Sequence, residues 1–146
     1  MDPAASVATS LDFEHGHCAL AFSLDVQEII SSVGHEEAGA TAVFIGTTRN
    51  TFKGKIVTRL EYQAYSTLAI KTMANIPIIR CAVHHRLGVV PVAEPSIVIA
   101  VSAPHRKEAF VACERILEEI KAKVPIWKRE YYENESDDTA EWKANQ

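Results

Sequence analysis

Long apolar runs are missing: the most hydrophobic stretches, Ala40 to Ile45 and Ile97 to Val101, fall far short of the roughly 20 residues a membrane-spanning helix needs. No membrane partner is expected. Cysteine is scarce, and Cys18, Cys81 and Cys113 are odd in number and widely spaced. That pattern excludes a disulfide framework or a CxxC metal site and suits reduced core thiols in the cytosol. Glycine and proline number 6 each in 146 residues, too few for a collagen-like or linker-dominated chain. Positive charge is not in excess either. With 15 Lys+Arg against 19 Asp+Glu the net charge is −4, so no global field exists to hold a nucleic-acid backbone. Any anion site must be local.

What is present is the composition of one ordinary domain, 47% hydrophobic and 23% charged, in a length typical of a single core. The opening MDPAASVATS lacks the basic start and apolar centre of a secretory signal and the arginines of a transit peptide. Residues 1–12 therefore read as a disordered tail and residues 13–146 as the folded domain.

The run His17 to Leu24 predicts a strand, and Asp25 is placed to cap a helix in which Val26, Ile29, Ile30 and Val33 recur at helical spacing. Gly34 stops it. Gly39 to Thr47 is a β-branched strand, followed by the polar turn TRNTFKGK and a second strand, IVTRLEYQAY, which together predict a hairpin. Ser66 is placed to cap a short helix that Pro77 ends. Ile78 to His84 and Ser96 to Ser102 are further strands, separated by a loop punctuated by Gly88, Pro91 and Pro95. The clearest helix follows Pro104, with Ala109, Phe110, Cys113, Ile116, Leu117 and Ile120 as its apolar stripe and Pro125 as its limit.

Few residues carry a chemical signal. Lys121 sits beside that stripe, seven positions before Lys128, where desolvation can lower a lysine pKa and free a reactive amine. The same pattern also fits a lysine snorkelling at a helix C-terminus. His105 and Arg106 open the helix, where free N–H groups and a guanidinium favour phosphate, although a solvated first turn looks the same in sequence. Arg49 stands in the turn GTTRN, where loops present functional groups. His84 and His85 are adjacent on a strand and so point to opposite faces, which argues against one shared metal ion. His15 and His17 lack companions at metal-ligand spacing.

Taken in order, GTTRN, HHRLGVVPV, SAPHRKEAF and VPIWKRE resemble the large catalytic subunit of molybdopterin synthase, with the resemblance running from Ala38 to Glu130. The resemblance implies a single-domain α+β fold of the α/β hammerhead type with a mostly antiparallel sheet. It implies a homodimer, each copy carrying a small ubiquitin-like sulfur-carrier subunit whose Gly-Gly tail ends in a thiocarboxylate. That tail would enter a pocket and give its sulfur to cyclic pyranopterin monophosphate, two transfers making the dithiolene of molybdopterin in molybdenum cofactor biosynthesis. A sulfurtransferase of this kind implies no resident cofactor and no metal, since molybdopterin is the product and molybdenum enters later.

Carried over by position, Lys121 would hold the carrier's terminal carbonyl and move a proton, and Lys128 would stabilise developing negative charge. Arg49, His105 and Arg106, together with Lys128, would bind the substrate. Two departures stand out. Between Tyr65 and His84 the chain is shorter than the family pattern by about two helical turns, and EWKANQ lacks the C-terminal arginine that in the family reaches the partner protomer's pocket, leaving Lys143 as a weak substitute there. The alternative to an active enzyme is a carrier-binding variant that the shortened 66–78 segment has made non-catalytic. An unrelated phosphate binder using only His105 and Arg106 is a third reading.

Overall fold

The computed structural model describes residues 6–74 and 79–145. In chain order the strands are Thr9–Phe13 (β1), Gly16–Ala21 (β2), Ala40–Thr47 (β3), Thr51–Phe52 (β4), Lys55–Ala64 (β5), Cys81–Arg86 (β6), Gly88–Pro91 (β7), Pro95–Ala103 (β8), Ile126–Tyr132 (β9) and Trp142–Ala144 (β10). The helices are Val26–Ser31 (α1), Ser66–Ala74 (α2) and Arg106–Lys123 (α3). One sheet has the order β1-β2-β6-β8-β3, and the second runs β10-β9-β5-β4 with β7 also paired to β5. Among the described residues only the β2–β6 pair is parallel, so the expected α+β architecture with mostly antiparallel sheet is what forms.

Strand β8 explains why its sequence is apolar without alternation. Val98 and Ala100 pack under Ile29 and Val33 of the α1 segment, while Ile97, Ile99 and Val101 face the main core. Both faces are covered, which removes the need for polar positions. Asp25 caps α1 as expected, its carboxylate accepting from the Glu28 N–H at 3.1 Å. On α3 the buried positions are Ala109, Cys113, Ile116 and Ile120, and they lay the helix across β8 and β3. Phe110, expected in this stripe, is 66% exposed, because one residue's step around the helix carries it off the buried face. The three thiols are free and buried.

Several expectations are corrected. The tail assigned to residues 1–12 is ordered over its second half, since Thr9 to Asp12 pair with β2 and the Ser6 hydroxyl donates to the Ala64 carbonyl at 3.0 Å; residues 1–5 lie outside the described residues. The predicted hairpin does not join β3 to β5. Instead β3 pairs with β8 and the hairpin is β4–β5, whose two-residue turn has Lys53 at φ 50° and Gly54 at φ 79°, the left-handed pair that a type I′ connection needs. The segment read as a loop after Arg86 contains β7. Ser66 lies inside α2, and its hydroxyl accepts from the Val7 N–H at 3.0 Å. Helix α2 nonetheless buries Ala69, Ile70 and Met73 against β1 and β2, so the shortened 66–78 segment still covers the sheet. Its remainder, 75–78 with Pro77, lies outside the described residues. Among the described residues no helix is long and apolar enough to cross a membrane.

Candidate active site

Helix α3 ends at Lys123, and Val124, extended at φ −81° and ψ 128° as suits a residue before proline, turns the chain back into β9. This reversal converts seven residues of sequence into two facing side chains. Lys121, from the last turn of α3, and Lys128, from β9, line one cavity of about 280 Å³. Arg49, in the connection between β3 and β4, joins them from the third side, and Phe44, Tyr62 and Leu117 supply apolar wall. Burial and the neighbouring positive charge of Lys128 lower the Lys121 pKa below the usual lysine value. The amine is thus biased toward its neutral form while still reachable by solvent, as a group that meets an incoming ligand has to be.

Glu130 is a cavity residue that sequence reading missed. Its carboxylate lies 3.7 Å from Lys128 Nζ and 3.6 Å from Lys143 Nζ and accepts a hydrogen bond from the Tyr132 hydroxyl. Burial alone would push its pKa up, but Tyr132, Lys143 and Lys128 outweigh it and hold the carboxyl below its ordinary value. Glu130 is thereby placed as the anionic partner of Lys128. The signal was available in the period of two in PIWKRE, which puts Lys128 and Glu130 on one face of a strand.

The two adjacent histidines separate as the strand period requires. His84 faces outward, with its Nε2 2.8 Å from that of His17. His85 points the other way, 1% exposed, into the cavity wall against Tyr62. The strand period that argues against a shared metal ion gives no sign of this position in the cavity wall. Burial, reinforced for His84 by His17 and for His85 by Lys121, pulls both pKa values from 6.5 to about 4. Both rings are thus neutral in the folded chain down to that pH, whereas the unfolded chain takes up protons below about pH 6.5. Stability contributed by these groups is present above pH 6.5 and lost as pH falls toward 4. Urea midpoints are accordingly expected to drop between pH 6.5 and 4.5, and a midpoint unchanged over that window would contradict the assignment.

His105 and Arg106 are not in this cavity. His105 is the N-cap of α3 without a side-chain capping bond, and Arg106 is its first residue. The 15 residues from Arg106 to Lys121 put the two ends of the helix about 22 Å apart along its axis. Lys143 also misses the cavity, its Nζ lying 5.5 Å over the Phe52 ring and beside Glu130 in a neighbouring depression.

The family model described as MoaE protein matches residues 21–123. Molybdopterin synthase catalytic subunit 2 of Aedes aegypti is 47% identical over 131 residues, with 84% of each chain covered. The molybdopterin synthase catalytic subunit of Pyricularia oryzae is 50% identical over 130 residues, covering 84% of this chain and 70% of that one. Among solved structures, molybdopterin synthase from Staphylococcus aureus superposes with a TM-score of 0.76 at 32% identity, covering 85% of this chain and 94% of that one. Family match, relatives and shared fold agree with one another, and the chain belongs to the MoaE family, that of the molybdopterin synthase catalytic subunit.

Proposed function

We propose that this chain is the sulfurtransferase subunit that moves sulfur from the thiocarboxylated tail of a small ubiquitin-like carrier to cyclic pyranopterin monophosphate. The observation that carries the reading is the convergence of Lys121, Lys128 and Arg49 on one cavity. Each transfer replaces a carbon–oxygen bond of the substrate by a carbon–sulfur bond, the displaced oxygen leaving as water or on the phosphate, while one water breaks the carrier's acyl carbon–sulfur bond and leaves a carboxylate. Two such transfers give the dithiolene. Lys121, with its lowered pKa, is suited to hold the acyl carbonyl and move a proton, and Lys128, paired with Glu130, to stabilise the negative charge that develops. Arg49 is suited to the substrate's phosphate. No resident metal or cofactor enters this scheme, and the cytosol is its proposed setting. The catalytic reading is favoured over a merely carrier-binding one because α2 still packs into the core and both lysines reach the cavity.

The distance of His105 and Arg106 from Lys121 supports a homodimer in which they serve the other copy's cavity. Strand β3 is the edge of its sheet, carries no charge or proline to protect it, and exposes Val43 and Ile45. Its eight residues span about 26 Å. One end meets the start of α3, where Gly39 lies against the Pro104 carbonyl, and the other end, Gly46 and Thr47, lines the cavity. A second copy added antiparallel about a two-fold axis through β3 sets the cationic helix start of each chain beside the cavity of the other.

Arg106→Ala is therefore expected to weaken substrate binding about ten- to a hundredfold, the value of a charge-assisted hydrogen bond, with little change in carrier affinity. Raised salt is expected to reproduce part of the defect in the parent protein. Calorimetry at one ionic strength checks this, and equal substrate affinity in variant and parent would remove the phosphate role. The transfer itself is tested by mass spectrometry of the carrier, whose thiocarboxylate is expected to become a carboxylate only when chain and substrate are both present. A carrier left unchanged by the two together would overturn the reading.

A further inference from the structure

The cavity holds cations on three sides, yet its wall contains one neutral polar pair with a fixed direction. His85 Nδ1 lies 2.7 Å from the backbone carbonyl oxygen of Arg86. A carbonyl only accepts, so Nδ1 carries the proton. Burial and the charge of Lys121 keep the ring neutral, which leaves a lone pair on Nε2. Asn145 Nδ2 is 3.3 Å from that nitrogen and must be the donor. The orientation of the amide follows, with Oδ1 turned away from His85 and accepting no hydrogen bond from the described residues.

Both partners are held in place by their surroundings. The edge of the His85 ring meets Tyr62 at 4.9 Å and 73°. Asn145 is anchored by its backbone N–H, which donates to the Ile126 carbonyl at 2.9 Å, and by β10 beside it on β9. Glu130 is already engaged by Tyr132 and two lysines, and the Ser96 hydroxyl donates to the Gly46 carbonyl. Asn145 Oδ1 is thus an oriented, uncharged acceptor amid Arg49, Lys121 and Lys128.

We propose that Asn145, positioned by His85, determines specificity by accepting a hydrogen bond from an N–H group of the ligand that enters this cavity. The inference rests on the cavity being the site of sulfur transfer. Two sources offer that chemistry, a ring or amino N–H of the pterin and an amide N–H of the carrier tail. Anions are drawn by the cations whatever their shape, while a neutral acceptor rewards only a ligand with a donor at that point.

Asn145→Ala removes the acceptor at a partly exposed position where folding is not at stake. The expected result is a rise of roughly tenfold in KM with kcat changed less than about threefold. A rise for cyclic pyranopterin monophosphate assigns the contact to the substrate, and a rise for the carrier assigns it to the tail. KM values for both within twofold of the parent would overturn the proposal. Asn145→Asp supplies a readout independent of turnover, because a carboxylate cannot donate to His85 Nε2 and the pair must recruit a proton. The His85 resonance, followed by NMR in the full chain, is expected to titrate well above the parent's value, and an unmoved titration would show that Asn145 and His85 are not coupled. Should the parent itself transfer no sulfur, the underlying reading fails and the NMR arm still decides whether the pair exists.

Discussion

Lys121→Ala is expected to slow sulfur transfer by about a hundredfold to ten-thousandfold, the range seen when a proton-transfer group or a donor to a developing oxyanion is removed. Carrier binding is expected to survive, because one side chain at the end of a tail tunnel contributes little to an interface of standard size. Folding is expected to survive as well. The residues that hold α3 down are Ala109, Cys113, Ile116 and Ile120, and removing an amine with a lowered pKa relieves the sheltered cavity of a partly desolvated charge. Single-turnover rates with saturating carrier and substrate check this, alongside thermal unfolding and carrier affinity. A folded Lys121→Ala protein that transfers sulfur at the parental rate would remove Lys121 from the chemistry.

Mixing the Lys121→Ala and Arg106→Ala variants, assayed with substrate well below the KM of either, is expected to restore activity. If the cavity uses its own Lys121 and the other copy's Arg106, a dimer of one Lys121→Ala chain and one Arg106→Ala chain holds one site lacking both groups and one site lacking neither. Random pairing of equal amounts makes half the dimers mixed, so recovery is expected to approach about one quarter of parental activity. Each variant alone sits far below that. Co-expression followed by the transfer assay checks the figure. Activity no greater than the average of the two separate variants would place Arg106 with the Lys121 of its own chain, or outside the site.

How far the sequence led differs from element to element, for physical reasons. Helix α3 and strands β3 and β8 were legible because one face or both faces of each are buried, and burial writes a period or a continuous apolar run into the chain. Lys121 and Lys128 were placed together because a helix end and a proline-marked reversal stand between them. The pairing of β3 with β8 was not legible. Local pattern says which face of a strand is buried and says nothing of a neighbour about fifty residues away, so it favours the nearer β5 as partner. The pairing of His85 with Asn145 escapes a sequence reading for the same reason: 60 positions separate them, and Asn145 lies in no motif. His105 and Arg106 were grouped with the lysines by the resemblance, and a single chain holds the two groups at opposite ends of one helix.

The most direct test mixes the purified chain with excess thiocarboxylated carrier and a known amount of cyclic pyranopterin monophosphate and counts molybdopterin formed against carrier consumed. The expected result is product at two carrier thiocarboxylates each, formed at least about a hundredfold more slowly by the Lys121→Ala protein under the same conditions. Carrier that binds the chain while no molybdopterin forms would contradict the assignment of sulfur transfer to this cavity.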